Sequence, residues 1–170
     1  MSTRSWVAVQ SASHDKEGGV CQFVYSHYDG YPSGVGLTLL QHYNAKSKAK
    51  QLISGGDISI IDWHGQDILY YAKRGSWKDP RGGDDEPWDQ VKPRWKNNKQ
   101  NLFNAFRSDE GMMIAYLYIY ETDLKWHCYK VDYDTKDIIE LELDKTHLLK
   151  SRNSNYDNYI EDNVEIGKVA

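Results

Sequence analysis

The chain has almost no cysteine. Cys21 and Cys128 are its only two, too few for the disulfide framework on which small secreted domains rely, and they read as reduced thiols. It also has no long apolar run. None approaches the roughly 18–20 residues that a membrane-spanning helix needs. The opening Met1-Ser2-Thr3-Arg4-Ser5-Trp6 lacks the apolar core of a secretory signal, so the expected location is a cytoplasm. Positive charge is in deficit as well. A formal net charge of −4 argues against the bulk electrostatic attraction that holds duplex nucleic acid, although a local basic patch is compatible with it. The familiar chemical signatures are missing too. No Gly-Lys-Ser/Thr follows a glycine-rich loop, and there is no dinucleotide fingerprint. There is no HExxH, CxxC or His-x-His spacing, and no Gly-x-Ser-x-Gly surrounds Ser33. The sequence therefore nominates no catalytic residue, no metal ligand and no cofactor.

What the chain does have is aromatic surface. Aromatic residues make up 13% of it, with thirteen Tyr and six Trp, side chains that join large contact area to a polar handle. Its 170 residues suit one domain with a sizeable core. Alternation predicts a strand over residues 6–10 and a β-branched and aromatic partner over 20–28, joined by a polar turn. Leu39, Leu40, Tyr43, Ala49, Leu52 and Ile53 fall at helical spacing. Ser33 or Thr38 is the expected N-cap, and Gly55-Gly56 the stop. Short strands are expected over 58–63 and 68–72 and a short helix over 101–108. Residues 112–120 alternate, with Met112, Ile114, Tyr116, Tyr118 and Tyr120 on one face. A return strand over 125–133 and a third over 138–143 complete a meander. The expected fold is α+β: an antiparallel sheet, built from an N-terminal hairpin and a C-terminal meander, packed against one main helix. It forms a single domain over 1–150 with a Trp/Pro-rich excursion at 75–100. Residues 151–170, rich in Asn and Asp, read as a loosely docked or disordered polar tail.

The densest local signal is Tyr25-Ser26-His27-Tyr28-Asp29-Gly30-Tyr31-Pro32-Ser33-Gly34-Val35-Gly36, directly in front of the helix. Asp29-Gly30 signals a turn, Pro32 fixes φ, and Gly34 and Gly36 permit close backbone approach. Such a junction either offers backbone N–H groups to an anion or is a tight structural turn, and local chemistry leaves both open. His27 and Asp29 project to one side, as do Asp62 and His64. Two such pairs are the raw material of a metal-assisted hydrolase, but without a ligand spacing they are equally ordinary strand-end residues. Trp77, Trp88 and Trp95 stand in the excursion among Lys78, Arg81, Lys92, Arg94, Lys96 and Lys99. That mixture suits base stacking or a protein interface, or simply a pinned surface loop. The Tyr116, Tyr118 and Tyr120 stripe reads as one wall of the core.

The run from His27 to Gly36, followed by Leu39-Leu40 and His42-Tyr43, resembles a family of small uncharacterised phage and prophage proteins. Their mark is an aromatic-Asp-Gly-Tyr-Pro-x-Gly-Val-Gly motif before a helix. Thr3-Arg4-Ser5, Leu52-Ile53-Ser54-Gly55-Gly56-Asp57-Ile58-Ser59, Tyr71-Ala72-Lys73-Arg74-Gly75, Ala115-Tyr116-Leu117-Tyr118-Ile119-Tyr120 and Trp126 look similar to further parts of the family. This chain carries Tyr28 where many members have Trp. The resemblance implies a phage accessory protein of the host bacterial cytoplasm, of a kind that counters host defence by binding. The expectation is a non-catalytic binder of an anionic, nucleotide-like ligand at Arg4, His27, Asp29, Gly30, Tyr31, Ser33, Gly34 and Gly36. A second expectation is an inhibitor that grips a host protein through Trp77, Trp88 and Trp95. Neither a membrane nor duplex nucleic acid is an expected partner, and a homo-oligomer is left open.

Overall fold

The structure, a computed structural model, describes residues 2–12, 19–74 and 83–170. Its centre is β1 (Ser5–Gln10), every residue of which is buried. A strand is buried on both sides only when both faces of its sheet are covered, and the side chains of β1 divide accordingly. Val7 and Val9 enter one core, Trp6 and Ala8 the other. β2 (Cys21–Ser26) pairs antiparallel with β1, as the hairpin reading expected.

On its other edge β1 pairs in parallel with β6 (Tyr116–Tyr120), so the C-terminal meander is built directly onto the N-terminal hairpin. β7 (Trp126–Val131) and β8 (Ile138–Leu141) follow antiparallel. On the far side lie β3 (Ile58–Ile61) and β4 (Ile68–Tyr70). The nine-stranded sheet runs β4-β3-β2-β1-β6-β7-β8 and ends on a strand near the C-terminus; β5 (Arg94–Lys96) pairs with β2 off this path. The architecture is α+β with a mostly antiparallel open sheet.

The expected single helix is divided. A π-helical turn, Pro32–Gly36, leads into α1 (Leu37–His42), and the chain restarts as α2 (Lys46–Ser54). The break is held by a distant side chain. The Trp126 indole N–H donates to the Tyr43 carbonyl at 3.0 Å, and Ala45 is extended. The freed end of α1 is thus satisfied by a side chain instead of a further turn. Neither expected N-cap acts as one. Ser33 bonds elsewhere, and the Thr38 hydroxyl donates back to the Gly34 carbonyl within the helix at 2.9 Å. The Gly55-Gly56 stop is present, with Gly56 at φ 85°.

α1 and α2 cover the Val7 face with Leu39, Ala49, Leu52 and Ile53. α4 (Lys99–Arg107), capped by the Asn98 side chain on the Asn101 N–H, covers the Trp6 face with Leu102, Phe103 and Phe106. Trp6 packs on Phe23 and Phe106 with ring centroids 4.7 and 6.2 Å away. Tyr118 and Tyr120 are buried in the first core, so the Tyr stripe is a core wall.

Two expected segments differ. The strand expected over 112–120 begins only at Tyr116, because Met112 and Ile114 are held in turns by the carbonyls of Asp109 and Gly111. Residues 151–170 are bound into the fold. The last turn of α5 (Lys145–Arg152) reaches into them, and β9 (Glu165–Lys168) pairs with β8 as the outermost strand. Within the excursion, α3 (Trp88–Val91) and β5 are regular; Trp77 lies outside the described residues. Among the described residues, no helix is long and apolar enough to cross a membrane.

Candidate functional site

The glycine-rich junction folds on itself. Asp29 stands at φ 57°, a conformation that Asp tolerates through its short polar side chain. The Gly30 N–H donates to the Thr3 carbonyl at 2.9 Å, the Gly34 N–H to Tyr31 at 2.9 Å, and the Val35 N–H to Asp29 at 2.8 Å. Side chains are excluded where the chain turns tightest. A Cβ at Gly34 would stand 2.2 Å from the Asp29 carbonyl oxygen, and one at Gly30 2.8 Å from that of Thr3.

The junction does meet an anion, but one supplied by the protein. The Asp162 carboxylate accepts both the Ser33 N–H, at 3.1 Å, and the Ser33 hydroxyl, at 2.9 Å. Pro32, Ser33, Gly34, Val35 and Gly36 are all buried. The Ser33 hydroxyl is thus held as a donor to a carboxylate within a buried turn.

Opposite Asp162, Arg152 at the end of α5 fastens the carbonyl side of the same turn. Its Nε donates to the Ser33 carbonyl at 2.7 Å, and one Nη donates to the Gly34 carbonyl at 2.8 Å and the Thr38 hydroxyl at 2.9 Å. The guanidinium carbon lies 4.2 Å above the Trp63 ring, a cation–π arrangement. Burial pulls the Arg152 pKa down, against the opposite pull of Tyr31 and Asp29. All its described acceptors are neutral oxygens, and no carboxylate of a described residue lies within ion-pair reach.

Arg152 and Trp63 form one side of a cleft of about 480 Å³, completed chiefly by Tyr31, Tyr116, Tyr159, Glu161 and Asp162. Tyr116 donates to the Asn163 side chain at 3.0 Å, and burial pushes its pKa up to about 12. Tyr31 donates to Asp29 at 3.3 Å; burial first and Asp29 second push its pKa up. The cleft therefore offers several aromatic faces, one cation and two carboxylates. Its volume falls within the range of small-molecule sites.

The sequence-expected residues separate into groups. Tyr31 and Ser33 border this cleft and Asp29 accepts from the Tyr31 hydroxyl, while Gly30, Gly34 and Gly36 form the buried turn behind it. Arg4 and His27 belong to a different cluster around Tyr25. The Tyr25 hydroxyl bonds His27 Nδ1, Arg4 acts on the same phenol, and Tyr28 and Tyr71 pack edge-on to His27. Burial above all pushes the Tyr25 pKa up to about 12. Sequence reasoning missed Trp63, Arg152, Tyr159 and Asp162. The Ser33–Asp162 contact spans 129 residues, and no local pattern announces such a pairing.

Trp88 and Trp95 are exposed, at 48% and 61%. Their basic neighbours are engaged: Arg94 with Asp57, Lys96 with Glu110, Lys92 with Asp89. Asp62 accepts from the Gln66 N–H in the β3–β4 turn. Among the described residues there is no group of three or more His, Cys, Asp or Glu side chains able to hold a metal ion. Cys21 and Cys128 are both buried and free, and burial raises their pKa values, that of Cys21 to about 12.

No protein-family model matches the chain, and neither a curated protein nor a solved structure matches it.

Proposed function

We propose that the protein is a non-catalytic binder of a nucleotide-like ligand, and that the ligand occupies the cleft between α5 and the β3–β4 turn. The observation that carries this reading is Arg152. Its guanidinium is stacked on Trp63 at the cleft and lacks a carboxylate partner among the described residues. A phosphate is the natural counter-charge for such a group. The planar faces of Tyr31, Trp63 and Tyr159 suit a stacked base. Glu161 and Asp162 supply acceptors for sugar hydroxyls or base amino groups and disfavour ligands of high negative charge. This reading moves the ligand from the backbone donors of residues 30–36 to the side chains in front of them. The proposal extends, through the sequence resemblance alone, to a phage accessory protein that counters host defence by holding such a ligand.

The test is a thermal-shift panel of nucleoside monophosphates, cyclic dinucleotides and ADP-ribose at 1 mM. A ligand with Kd of about 10 µM adds about 2.7 kcal/mol at that concentration, which is readily seen. At least one member is expected to raise the Tm of the wild type and to lose most of the shift in Tyr159→Ala. The same Tm with every member contradicts the reading.

A second reading is an inhibitor that binds a host protein, favoured by the exposure of Trp88 and Trp95. Paired Trp88→Ser and Trp95→Ser substitutions should abolish recovery of that partner. Undiminished recovery speaks against it.

A further inference from the structure

Away from the cleft, the turn between α4 and β6 and the β7–β8 turn enclose a groove of about 430 Å³. Its walls include Arg107, Met112, Met113, Ile114, Tyr133 and Lys136. Three of these apolar side chains are far more exposed than a folded domain usually leaves them: Met112 at 68%, Met113 at 67% and Tyr133 at 87%. Methionine pairs of this kind give an adaptable contact surface, and clustered exposed apolar residues mark interaction sites.

The groove also holds an unmatched cation. Arg107 Nε is buried and has no hydrogen-bond partner, and no carboxylate of a described residue pairs with this guanidinium. A buried donor without an acceptor is costly. Its position at the C-terminal end of α4 suits the helix dipole but leaves that N–H unanswered. Lys136 adds a second positive charge, with its ammonium 5.2 Å from the Tyr133 ring. Asp109 is the one carboxylate in the lining.

We propose that this groove docks a partner protein through a short segment in which an Asp or Glu is flanked by apolar residues. The carboxylate meets the positive charge of Arg107 and Lys136, and the apolar neighbours cover Met112, Met113 and Tyr133. The pairing is argued from charge complementarity: two cations, Arg107 and Lys136, against one carboxylate in a lining of exposed apolar side chains select an acidic, apolar segment over a basic or wholly polar one. The groove lies outside the Trp88–Trp95 segment and shares no residue with the ligand cleft.

The test is selection of a random 12-residue peptide library against the full chain, followed by fluorescence-polarisation titration of the enriched peptides. Enriched peptides are expected to carry Asp or Glu between apolar residues. Their affinity should fall at least tenfold in Arg107→Gln and at least tenfold in the double variant Met112→Gln/Met113→Gln. Arg107, Met112 and Met113 lie outside both cores, and circular dichroism of each variant is the check that it folds. Tyr159→Ala, at the ligand cleft, should leave peptide affinity unchanged. The proposal is overturned if no peptide is enriched, if the enriched peptides lack a carboxylate, or if they bind the groove variants undiminished. It is also overturned if decanoate binds in their place while no peptide does, since the groove would then serve a free fatty acid.

Discussion

Asp162 is mostly buried yet accepts two hydrogen bonds from a single residue, Ser33. Removing it leaves a buried N–H and hydroxyl without an acceptor. Asp162→Ala is therefore expected to cost about 1–3 kcal/mol, measured by urea unfolding, whereas Asp162→Asn keeps one acceptor and should cost less. His127 makes a second residue-scale prediction. Asp123 lies 2.7 Å from its Nε2 and Glu140 2.8 Å from its Nδ1. A neutral imidazole has only one N–H, so both contacts are hydrogen bonds only when the ring is charged. Burial alone would pull the His127 pKa down, but the bonds to Glu140 and Asp123 and the nearby Glu121 push it up. Its folded pKa thus stands above the unfolded value of about 6.5. The stability it contributes is full below that value and is lost as pH rises through the folded pKa. Unfolding measured from pH 5.5 to 8.5 should show this decline in the wild type and a flatter profile in His127→Gln; parallel profiles would count against it.

At the scale of elements, the strands were the most legible part of the sequence. The alternation over Tyr116–Tyr120 and Trp126–Val131 reflects real faces, with Leu117 and Ile119 in one core and Tyr118 and Tyr120 in the other. Met112 and Ile114 continue the same alternation but lie in a turn, because periodicity reports side-chain polarity and not hydrogen bonding. The helix broken at Tyr43 shows the same limit. Its apolar spacing lapses at Lys46 and Ser47, which marks the interruption, but the group that meets the freed Tyr43 carbonyl is Trp126, 83 residues later. Trp126→Phe removes the indole donor and also leaves space in the first core, so a loss of about 2–3 kcal/mol is expected in urea unfolding. Gly34→Ala acts on the turn before α1. Its methyl would meet a backbone oxygen, which cannot swing aside, and a loss of about 2–3 kcal/mol is expected.

For the whole molecule, the parallel pairing of β1 with β6 is the decisive topological feature. It places the C-terminal meander beside the N-terminal hairpin, and the segment after β8 then returns over the junction. Nothing local in the sequence encodes that return. The stretch over 151–170 is rich in Asn, Asp and Tyr, which in isolation is the composition of solvated chain. In the fold, Arg152 and Asp162 grip the two polar sides of the turn at Ser33 and Gly34. The turn was legible as a special junction. Its partners were not, and they turn an apparent anion loop into the back wall of a cleft. Arg152 both braces this wall and faces the cleft, so its substitution mixes stability with binding, whereas Tyr159 is 64% exposed and separates the two. The most direct test of the cleft assignment is calorimetric titration of the full chain with ADP-ribose, AMP and a cyclic dinucleotide, repeated on Tyr159→Ala. The account predicts saturable binding of at least one of them to the wild type, weakened at least tenfold in the variant with the fold retained. No binding to any of the three, or equal binding by wild type and variant, would contradict it.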